Sequence, residues 1–409
     1  SLWHLHRHPG RRNPGLRDVQ HHPGKPLKRP KHLRHLSCIV SEPRILIHCD
    51  LDAFFASVEM LHHGFPEEQP LIIGSDPQQG RGRGIVSTCN YAARTYGVRS
   101  AMPITEAWRR CPGSPYGPGR YIRGTRSLYS MASRRVMKIL RKYADKFEQA
   151  SIDEAYLDIT EYTKGDWDEA LALARRIKKE ITDVVGLTAS FGIGPTRVVA
   201  KMSSEVNKPN GIHRVLPDEI NSFFQQRSVR EVPGIGPKTA NRLAEWGIST
   251  VDEASELGEL ALARMTSERF ASWLLRVVDG TTSNEVSPIR SRRSIGKERT
   301  FPVDQSNHEV VLEVLEKLTV SVMAKAREEG IAGRLAEVKL RYTGFETHTH
   351  GRSIPVAMDD TDVFLRQVRM LFAQNVNQEQ NIRLVGFRLG QLEEIDHRQT
   401  TLDGIDESE

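Results

Sequence analysis

The segment SIDEAYLDIT, residues 151–160, places two neighbouring acids, Asp153 and Glu154, at the start of a stretch with the pattern of a β-strand. From Tyr156 onward, polar and apolar side chains alternate with the period of two that is typical of a half-buried strand. Strands seldom carry adjacent carboxylates, because like charges repel and aspartate has a poor strand propensity. The pair therefore indicates either a charged hairpin turn or carboxylates that bind a cation.

A third acid, Asp50, ends an apolar segment much earlier in the chain. Residues 44–49 predict a buried strand, and Asp52 is predicted to cap the helix that begins after it. If the strand ends meet in one sheet, three carboxylates would raise one another's pKa and repel unless a cation neutralised them. Oxygen ligands of this kind suit Mg²⁺, and two such ions about 4 Å apart can activate an attacking oxygen and stabilise a leaving pyrophosphate.

The order of the predicted elements favours an α+β sheet of the ferredoxin-like type. Segments 146–152 and 154–160 form a predicted strand pair, a helix is expected near 167–185, and residues 187–194 predict a further strand. Short helices are expected next, around VPGIGPKTANRLAEWGI, before a linker rich in Ser and Arg. Residues 295–392 then alternate strands and helices, which predicts a separate α+β domain.

The net charge of +6 is concentrated in residues 1–43, which are rich in His, Arg and Pro and show almost no hydrophobic periodicity. Such a segment buries too little apolar surface to offset its ordering entropy, so we expect a disordered basic tail. The rest of the chain is close to neutral, and any nucleic-acid surface within it must be a local patch.

Composition excludes several classes of protein. No apolar run reaches the roughly 18 residues of a membrane span, and the first residues lack the apolar core of a signal peptide. The four cysteines have no C-x-x-C spacing, so neither zinc nor disulfides are expected. We therefore expect a cytoplasmic protein that makes no membrane contact.

Six motifs follow one another along the chain: DLDAFFASVE, STCNYAARTYGV, SIDEAYLDIT, SFGIGPTRVVAKMSSEVNKPNGI, VPGIGPKTANRL and RRSIGKERTF. In this order they resemble the Y-family DNA polymerases, most closely the DNA polymerase IV (DinB-type) branch. The resemblance extends over residues 44–395, and six ordered motifs over that length disfavour the charged-turn alternative for the two acids.

The resemblance implies an α+β, multidomain right-hand polymerase with a ferredoxin-like palm and small fingers. It also implies a helical thumb with a helix-hairpin-helix and a C-terminal α+β little-finger domain. The expected boundaries are 1–43 for the tail, 44–53 and 121–215 for the palm, 54–120 for the fingers, 216–287 for the thumb, 288–395 for the linker and little finger, and 396–409 for a flexible tail.

The activity implied by the resemblance is template-directed addition of deoxynucleotides to a primer 3′ end, with release of pyrophosphate. No remaining segment within 44–395 could house a proofreading exonuclease. The resemblance therefore implies low fidelity and a role in translesion synthesis and DNA repair. The expected partners are primer–template DNA and an incoming dNTP, and the chain is expected to act as a monomer.

Carried over by the resemblance, Asp50, Asp153 and Glu154 are the catalytic acids and the side-chain ligands of two Mg²⁺ ions. The Leu51 carbonyl would assist at the nucleotide-binding metal. Asp52 is assigned to the helix cap and left out of the catalytic set. Gly192 and Gly194 resemble a phosphate-binding loop, but a single G-x-G is more typical of a turn.

The resemblance assigns Tyr91, Arg94 and Lys201 to the triphosphate of the incoming nucleotide. At positions i and i+3, Tyr91 and Arg94 share one helix face, so a hydroxyl and a guanidinium can converge on phosphate oxygens. Phe55 falls where the family places an aromatic steric gate against the ribose 2′-OH. From the sequence pattern alone, Phe55 would be a core residue beside Phe54.

Two segments are expected to hold the DNA backbone. The turn in VPGIGPKTANRL exposes backbone N–H groups at a helix start, which suits a phosphate, although a simple packing corner is the alternative. The linker is strongly basic and is expected to bind phosphates in a salt-sensitive manner, unless its charges are merely solvated. The candidates are Gly234, Gly236 and Lys238 in the turn, and Arg290, Arg292, Arg293, Lys297 and Arg299 in the linker.

The C-terminal QTTLDGI resembles a sliding-clamp peptide through Gln399, Leu402 and Ile405, with an idle polar tail as the alternative. Two other functions remain open for the whole chain. A palm-domain nucleotidyl cyclase also uses paired acids, but it has no template for the predicted DNA-holding segments to bind. A catalytically inactive DNA-binding accessory protein would be expected to lack acids at the metal positions.

Overall fold

The computed structural model of the chain describes residues 43–288 and 292–395. The strands in these ranges are β1 (Leu46–Leu51), β2 (Leu71–Gly74), β3 (Val86–Cys89), β4 (Arg120–Ile122), β5 (Lys146–Gln149), β6 (Glu154–Asp158), β7 (Ala189–Gly194), β8 (Ile212–Arg214), β9 (Ser294–Gln305), β10 (Ile331–Tyr342), β11 (Thr347–Met358) and β12 (Ile382–Glu394).

The α-helices of the same ranges are α1 (Phe54–His63), α2 (Tyr91–Thr95), α3 (Ile104–Arg110), α4 (Arg126–Arg141), α5 (Trp167–Val185), α6 (Arg197–Val206), α7 (Ile220–Phe224), α8 (Pro237–Ala244), α9 (Val251–Glu256), α10 (Gly258–Met265), α11 (Glu268–Val278), α12 (His308–Glu328) and α13 (Thr361–Asn375). None of the helices in the described part of the chain combines the length and apolar character needed to cross a bilayer.

Five strands form a central sheet in the order β5–β6–β1–β7–β8. Strand β1 is antiparallel to both of its neighbours, β6 and β7, and β5 is antiparallel to β6. A central first strand flanked in this way is the ferredoxin-like arrangement, so the predicted fold class is confirmed. Strand β8 adds a parallel edge to the sheet beside β7.

All six residues of β1 are buried because helices cover both faces of the central sheet. On one face, Ile47 and its neighbours pack in a common core with Val136 of α4 and Ile177 of α5. On the other face, Leu46 packs with Ala200 of α6. A strand covered on both faces is continuously apolar, which is the pattern that residues 44–49 show in the sequence.

Helix α5 matches the sequence expectation at both ends. Its side-chain cap is Asp166, whose carboxylate accepts the backbone N–H groups of Asp168 and Glu169. It ends at Gly186, which adopts a left-handed φ of 78° that favours glycine. The predicted helix over 167–185 is therefore confirmed.

Two smaller units accompany the central sheet: one is inserted in the chain between β1 and β5, and the other follows β8. A three-stranded sheet has the order β3–β2–β4, and α2 and α3 share its core through Ala93 and Ala107. Helices α7 to α11 surround a separate apolar core. Before the Gly-Ile-Gly turn, Val229–Glu231 forms one 3₁₀ turn rather than a full α-helix, because Pro233 follows at once.

The C-terminal sheet has the order β11–β10–β12–β9, and every neighbouring pair is antiparallel. Helices α12 and α13 share a core with Val338 and Phe387 on one face of this sheet. Because side chains alternate along each strand, Glu337 and Arg388 project from the opposite, open face. One face of this sheet is thus covered by helices and the other is open, as is common for antiparallel sheets.

Candidate functional site

The three predicted acids come together at one end of the central sheet. The register of β1 and β6 pairs Asp50 directly with Glu154. One residue further on, the Leu51 N–H donates to the Asp153 carbonyl at 3.1 Å. Residues distant in sequence are thus fixed side by side by backbone hydrogen bonds.

The turn that presents Asp153 is held by Ser151. The Ser151 hydroxyl oxygen accepts the backbone N–H groups of Asp153, at 3.1 Å, and of Glu154, at 3.0 Å. The same hydroxyl donates to Asp153 Oδ1 at 2.5 Å. Such a side-chain turn explains how two adjacent acids are accommodated where β5 and β6 meet.

Asp50 is 9% exposed, and its main partner is a lysine outside the sheet. Lys208 Nζ lies 2.8 Å from Asp50 Oδ1 and 2.6 Å from an oxygen of Glu205. Burial raises the pKa of Asp50 to about 7, although Lys208 acts in the opposite direction. Burial lowers the pKa of Lys208, but the two carboxylates outweigh it and raise that pKa overall.

Glu154 is paired with Lys201 of α6 and lies near His48 of β1. Lys201 Nζ lies 2.6 Å from Glu154 Oε2, while the buried His48 Nε2 lies 3.6 Å from the same oxygen, beyond hydrogen-bond distance. His48 and Lys201 together hold the pKa of Glu154 well below its usual range. On its other side, His48 Nδ1 is 2.8 Å from the Ser204 hydroxyl.

Gly192 lets α6 approach the sheet closely enough for Lys201 to reach Glu154. A Cβ at Gly192 would lie 1.9 Å from the carbonyl oxygen of Ala200, so no larger residue fits without a backbone shift. Gly192 and Gly194 lie within β7 and not in a turn. The strand predicted over 187–194 is therefore confirmed and the turn predicted from the G-x-G spacing is wrong, with close helix packing as the physical reason for the two glycines.

The described residues contain no group of three His, Cys, Asp or Glu side chains already arranged to hold a metal ion. Instead, Asp50 is paired with Lys208, Glu154 with Lys201 and Asp153 with Ser151. The donor set is nonetheless made only of carboxylate and carbonyl oxygens, which fits a hard divalent cation. Burial of Asp50, which disfavours a charged carboxylate, is the situation that a bound cation would relieve.

Asp52 does not cap the following helix, so that prediction is wrong. Helix α1 begins after Ala53, which has a left-handed φ of 44° and gives no side-chain cap. The buried Asp52 carboxylate instead accepts the Ser190 hydroxyl at 2.7 Å and the Asn210 N–H at 2.9 Å. These bonds anchor the loop that carries Lys208.

Tyr91 and Arg94 lie on α2, which is capped by the side chain of Asn90. The Arg94 guanidinium lies 4.5 Å from the centre of the Tyr91 ring, so the two side chains share a helix face as the spacing predicts. Burial raises the pKa of the Tyr91 hydroxyl, and Asp52 adds to that effect. Tyr91 and Arg94 thus present a hydroxyl and a guanidinium together from one face of α2.

Phe55 is half-buried on α1, between the apolar core and the surface. Its ring stacks on Tyr129 of α4, with ring centres 4.2 Å apart and an interplanar angle of 14°. Phe54, by contrast, is almost fully buried. The sequence pattern does not distinguish these neighbouring phenylalanines, but the structure does.

Two residues of the site were not singled out from the sequence. Lys208 belongs to a quoted motif, yet only its contact with Asp50 marks it as part of the site. Tyr129 lies in an ordinary amphipathic helix, and its stacking on Phe55 is visible only in three dimensions. The available signal was the KPNG turn, since a lysine beside a Pro-Asn-Gly turn has a fixed backbone.

The three turn residues expected to bind DNA are exposed at or just before the start of α8: Gly234, Gly236 and Lys238. Gly236 is the residue before the first turn of α8 and lies in open space. Gly234 has a left-handed φ of 104°, which favours glycine. Lys238 projects from the first turn and is exposed. Backbone N–H groups at such a helix start are suited to an anion.

The basic side chains of the linker differ in their contacts, which the sequence does not show. Arg292 is paired with Glu329, and Lys297 donates to the Ser321 hydroxyl on α12. Arg293 and Arg299 are exposed. Arg290, like Gln399, Leu402 and Ile405 of the clamp-like peptide, lies outside the described residues.

The open face of the C-terminal sheet carries a shallow groove of about 410 Å³ that the sequence reasoning did not identify. Lys339 and Arg388 line it, together with two acids that pair with them. Lys339 Nζ lies 2.7 Å from Glu298, and Arg388 lies 2.5 Å from Glu337.

Residues 49–205 match the impB/mucB/samB family, and residues 292–402 match the C-terminal domain of that family. The DNA polymerase IV of Methanoculleus marisnigri is 38% identical over 361 residues, covering 88% of this chain and 98% of the relative. The DNA polymerase IV of Streptococcus suis is 37% identical over 343 residues, covering 84% and 95%.

Solved structures of similar sequence share the fold. A Y-family DNA polymerase chimera of Dbh and Dpo4 aligns with a TM-score of 0.77 at 30% identity, covering 86% of this chain and 99% of the chimera. DinB from Sulfolobus solfataricus aligns at 0.59 and 30% identity, covering 85% and 98%. An insertion ternary complex of Dbh DNA polymerase aligns at 0.62 and 29% identity, covering 86% and 99%.

Proposed function

Because this chain belongs to the DinB-type branch of the Y-family DNA polymerases, we propose that its carboxylate cluster is the centre of DNA synthesis. The chain is a DNA-directed DNA polymerase of low fidelity that acts in translesion synthesis. Neither the nucleotidyl cyclase nor the inactive accessory protein is supported by these relatives. The observation that supports the proposed centre best is the pairing of Asp50 with Glu154 beside the Leu51–Asp153 hydrogen bond.

Family membership implies dependence on divalent metal ions, and we propose two Mg²⁺ ions held by Asp50, Asp153 and Glu154. The Leu51 carbonyl would assist at one of the ions. Bound there, the ions would supply positive charge to the attacking 3′ oxygen and to the departing pyrophosphate. Lys208 and Lys201 neutralise the same carboxylates in this structure, so both ammonium groups can turn toward phosphate oxygens when metal ions replace them.

The incoming dNTP is proposed to bind beside this cluster. Tyr91 and Arg94 would hold the triphosphate from α2, and Lys201 would do so from α6. Lys208 joins this set on geometric grounds, because it lies against Asp50 and is anchored through the Asn210–Asp52 bond. An ammonium or guanidinium at each side of the phosphates stabilises the charge that moves to the leaving group.

Phe55 is proposed to lie under the sugar of the incoming nucleotide. Its ring is half-buried and stacked on Tyr129, so it is held in one position rather than free to move aside. A rigid ring at this place would clash with a ribose 2′-OH but leave room for deoxyribose. Selection of deoxynucleotides would then depend on shape alone.

For the domains we propose the boundaries given by the family resemblance, with the central sheet as palm and the C-terminal sheet as little finger. Primer–template DNA would contact Gly234, Gly236 and Lys238 through phosphates. The basic linker, including Arg290, Arg292, Arg293, Lys297 and Arg299, would contact further phosphates. All of these contacts would be made to phosphates. They would therefore be independent of the base sequence, and DNA affinity should fall steeply with salt.

We further propose that the chain works as a monomer in the cytoplasm and that Gln399, Leu402 and Ile405 bind a sliding clamp. The clamp would increase the local concentration of the enzyme at a primer end. Loss of these three side chains should therefore reduce clamp-dependent extension but leave extension on a bare primer unchanged.

Primer extension on a defined template, with and without Mg²⁺, tests the proposed centre. We expect Asp153→Ala to abolish extension while retaining DNA affinity in a gel-shift assay. The matched control is Asp145→Ala, which removes another acid of a loop in the same sheet region, one that binds backbone N–H groups of residues 161 and 162. Normal extension by Asp153→Ala would remove Asp153 from the centre.

A further inference from the structure

Beneath Phe55 lies a buried acid to which neither the sequence motifs nor the proposed function assigns a role. Glu59 is one turn along α1 from Phe55 and is fully buried. A buried carboxylate is costly unless it is hydrogen-bonded. Its partners therefore indicate what it does.

The first oxygen of Glu59 binds Tyr129 and the start of α4. Glu59 Oε1 accepts the Tyr129 hydroxyl at 2.6 Å and the backbone N–H of Thr125 at 2.8 Å. The Thr125 N–H also lies 3.1 Å from the Tyr129 hydroxyl oxygen. Thr125 precedes the first turn of α4 and makes no side-chain cap of its own. Glu59 thus fixes both the helix start and the tyrosine.

The second oxygen of Glu59 faces the end of α1. Glu59 Oε2 lies 3.2 Å from His63 Nε2, at ion-pair distance but without hydrogen-bond alignment. Only His63 of these groups is substantially exposed. The two oxygens therefore have different tasks, and only Oε1 makes well-formed hydrogen bonds.

The site is built closely around the Tyr129 hydroxyl. A Cβ at Gly124 would lie 2.6 Å from that hydroxyl oxygen, so a side chain there would push it from Glu59. The Tyr129 ring itself lies almost parallel to the ring of Phe55, with 4.2 Å between the centres. A displacement of the hydroxyl would therefore move the ring on which Phe55 rests.

We propose that Glu59 is a positioning residue for sugar selection: its carboxylate fixes the Tyr129 hydroxyl and so holds the Tyr129 ring firmly under Phe55. This inference rests on the proposed function, since it requires Phe55 to face the sugar of the nucleotide. Glu59 touches neither substrate nor reacting atoms in this role. Its effect passes through two side chains that are packed in contact.

The test is the discrimination ratio, defined as kcat/KM for a dNTP divided by kcat/KM for the matching rNTP. Tyr129→Phe removes only the hydroxyl, and Glu59→Met removes the acceptor at similar length. We expect each to lower the ratio by about tenfold, since a hydrogen bond to a charged group is worth more than one factor of ten. Glu59→Gln keeps an acceptor oxygen for Tyr129, and we expect it to stay within about twofold of the parent chain.

A second tyrosine–glutamate pair provides the matched control. Tyr143, just beyond the other end of α4, donates to Glu180 at 2.6 Å, and its ring contact is with Tyr162 rather than with Phe55. Tyr143→Phe should lower thermal stability as Tyr129→Phe does, yet leave the discrimination ratio unchanged. A fall in the ratio for Tyr143→Phe as large as that for Tyr129→Phe would overturn the inference, because the effect would then be general loosening.

Phe55→Ala separates this inference from the proposed function. A ratio unchanged by Phe55→Ala would refute the gate itself. A ratio that collapses in Phe55→Ala but is unchanged in both Tyr129→Phe and Glu59→Met would refute only the positioning role. In the Phe55→Ala background, Tyr129→Phe should have no further effect on the ratio, because the two substitutions act through one contact.

Discussion

The central sheet and the C-terminal sheet both carry pairs of acids and bases whose carboxylates are similarly covered, but the pairs differ in the exposure of the base and in origin. In the central sheet, Asp50 meets Lys208, whose side chain is 21% exposed and comes from the loop after α6. In the C-terminal sheet, Glu337 meets its direct cross-strand neighbour Arg388, whose side chain is 54% exposed on an open face. The first kind of pair depends on the tertiary fold and the second only on strand register.

Glycine has a different role in each sheet as well. Gly192 allows a helix backbone to approach β7 in the central sheet. In the C-terminal sheet, Gly386 lies between Lys339 on one neighbouring strand and Glu298 on the other, so that these side chains meet across it. The central sheet is thus organised around close contacts that position charge, whereas the open sheet accommodates exposed charge with little constraint.

The largest expected contrast comes from making the same acid-to-amide change in both sheets. Glu154→Gln should reduce the rate of primer extension on the order of a thousandfold. The substitution removes a carboxylate ligand of the proposed metal ions, whose positive charge would stabilise the transition state by several kcal/mol. Glu337→Gln should leave the extension rate unchanged, although the Glu337 carboxylate is also paired with a positive group, the Arg388 guanidinium. Single-turnover extension measures both, and equal losses in the two variants would remove the distinction between the sheets.

The two glycines give the next largest contrast, read as the free energy of unfolding. Gly192→Ala should destabilise by about 3 kcal/mol or more, because the new Cβ meets helix backbone that cannot yield. At Gly386 a Cβ would lie 2.8 Å from Glu298 Cγ and 3.3 Å from the Lys297 carbonyl oxygen, so a side chain must shift but no helix backbone must. Gly386→Ala should therefore destabilise less than Gly192→Ala. Urea unfolding checks both, and a mild Gly192→Ala would mean that α6 can shift.

Much of the central sheet could be predicted from the sequence because its signals are local. The ends of α5 can be predicted from the capping residues Asp166 and Gly186. The continuous burial of β1 can be predicted from its largely apolar sequence. The three acids were placed together by the fold class that this pattern predicted. Backbone register then fixed Asp50 opposite Glu154.

The failures share one physical cause, which is that local rules do not report tertiary partners. Asp52 has the position and residue type of a helix cap, yet its carboxylate binds Ser190 and Asn210 from distant segments. Gly192 has the spacing of a turn, yet it serves packing between β7 and α6. The KPNG turn marks only the fixed backbone of Lys208, and Tyr129 has no local signal, because the partners of both, Asp50 and Phe55, lie far away in the chain.

The lysines that pair with acids of the two sheets should differ in their effect on nucleotide binding. Lys208→Met should raise KM for the dNTP by about tenfold, because a charge facing the phosphates is worth roughly 1.4 kcal/mol or more. Lys339→Met should leave that KM unchanged, because Lys339 pairs with Glu298 on the C-terminal sheet and has no place in the proposed triphosphate site. Steady-state kinetics measure the KM of both variants. A normal KM in Lys208→Met would place the triphosphate away from the loop after α6.

The smallest expected effect concerns a contact between the C-terminal sheet and the segment before β3. Arg83, before β3, donates to Asp304 Oδ1 at 2.5 Å and to the Phe301 carbonyl at 3.1 Å, both on β9. The Arg83 side chain is 31% exposed, and a partly solvated pair is worth only about 0.2–1 kcal/mol. We therefore expect Arg83→Gln to lower the free energy of unfolding by less than about 1 kcal/mol.

A control for Arg83→Gln is Arg176→Gln, which breaks an exposed pair with Glu169 inside α5. If the C-terminal sheet unfolds independently of the unit that carries Arg83, both substitutions should shift the urea midpoint by a similar small amount. A much larger loss in Arg83→Gln, or a change in the slope of the transition, would show that this contact couples the C-terminal sheet cooperatively to the three-stranded unit. The C-terminal sheet would then depend on a tertiary contact, as the acid–base pair of the central sheet does.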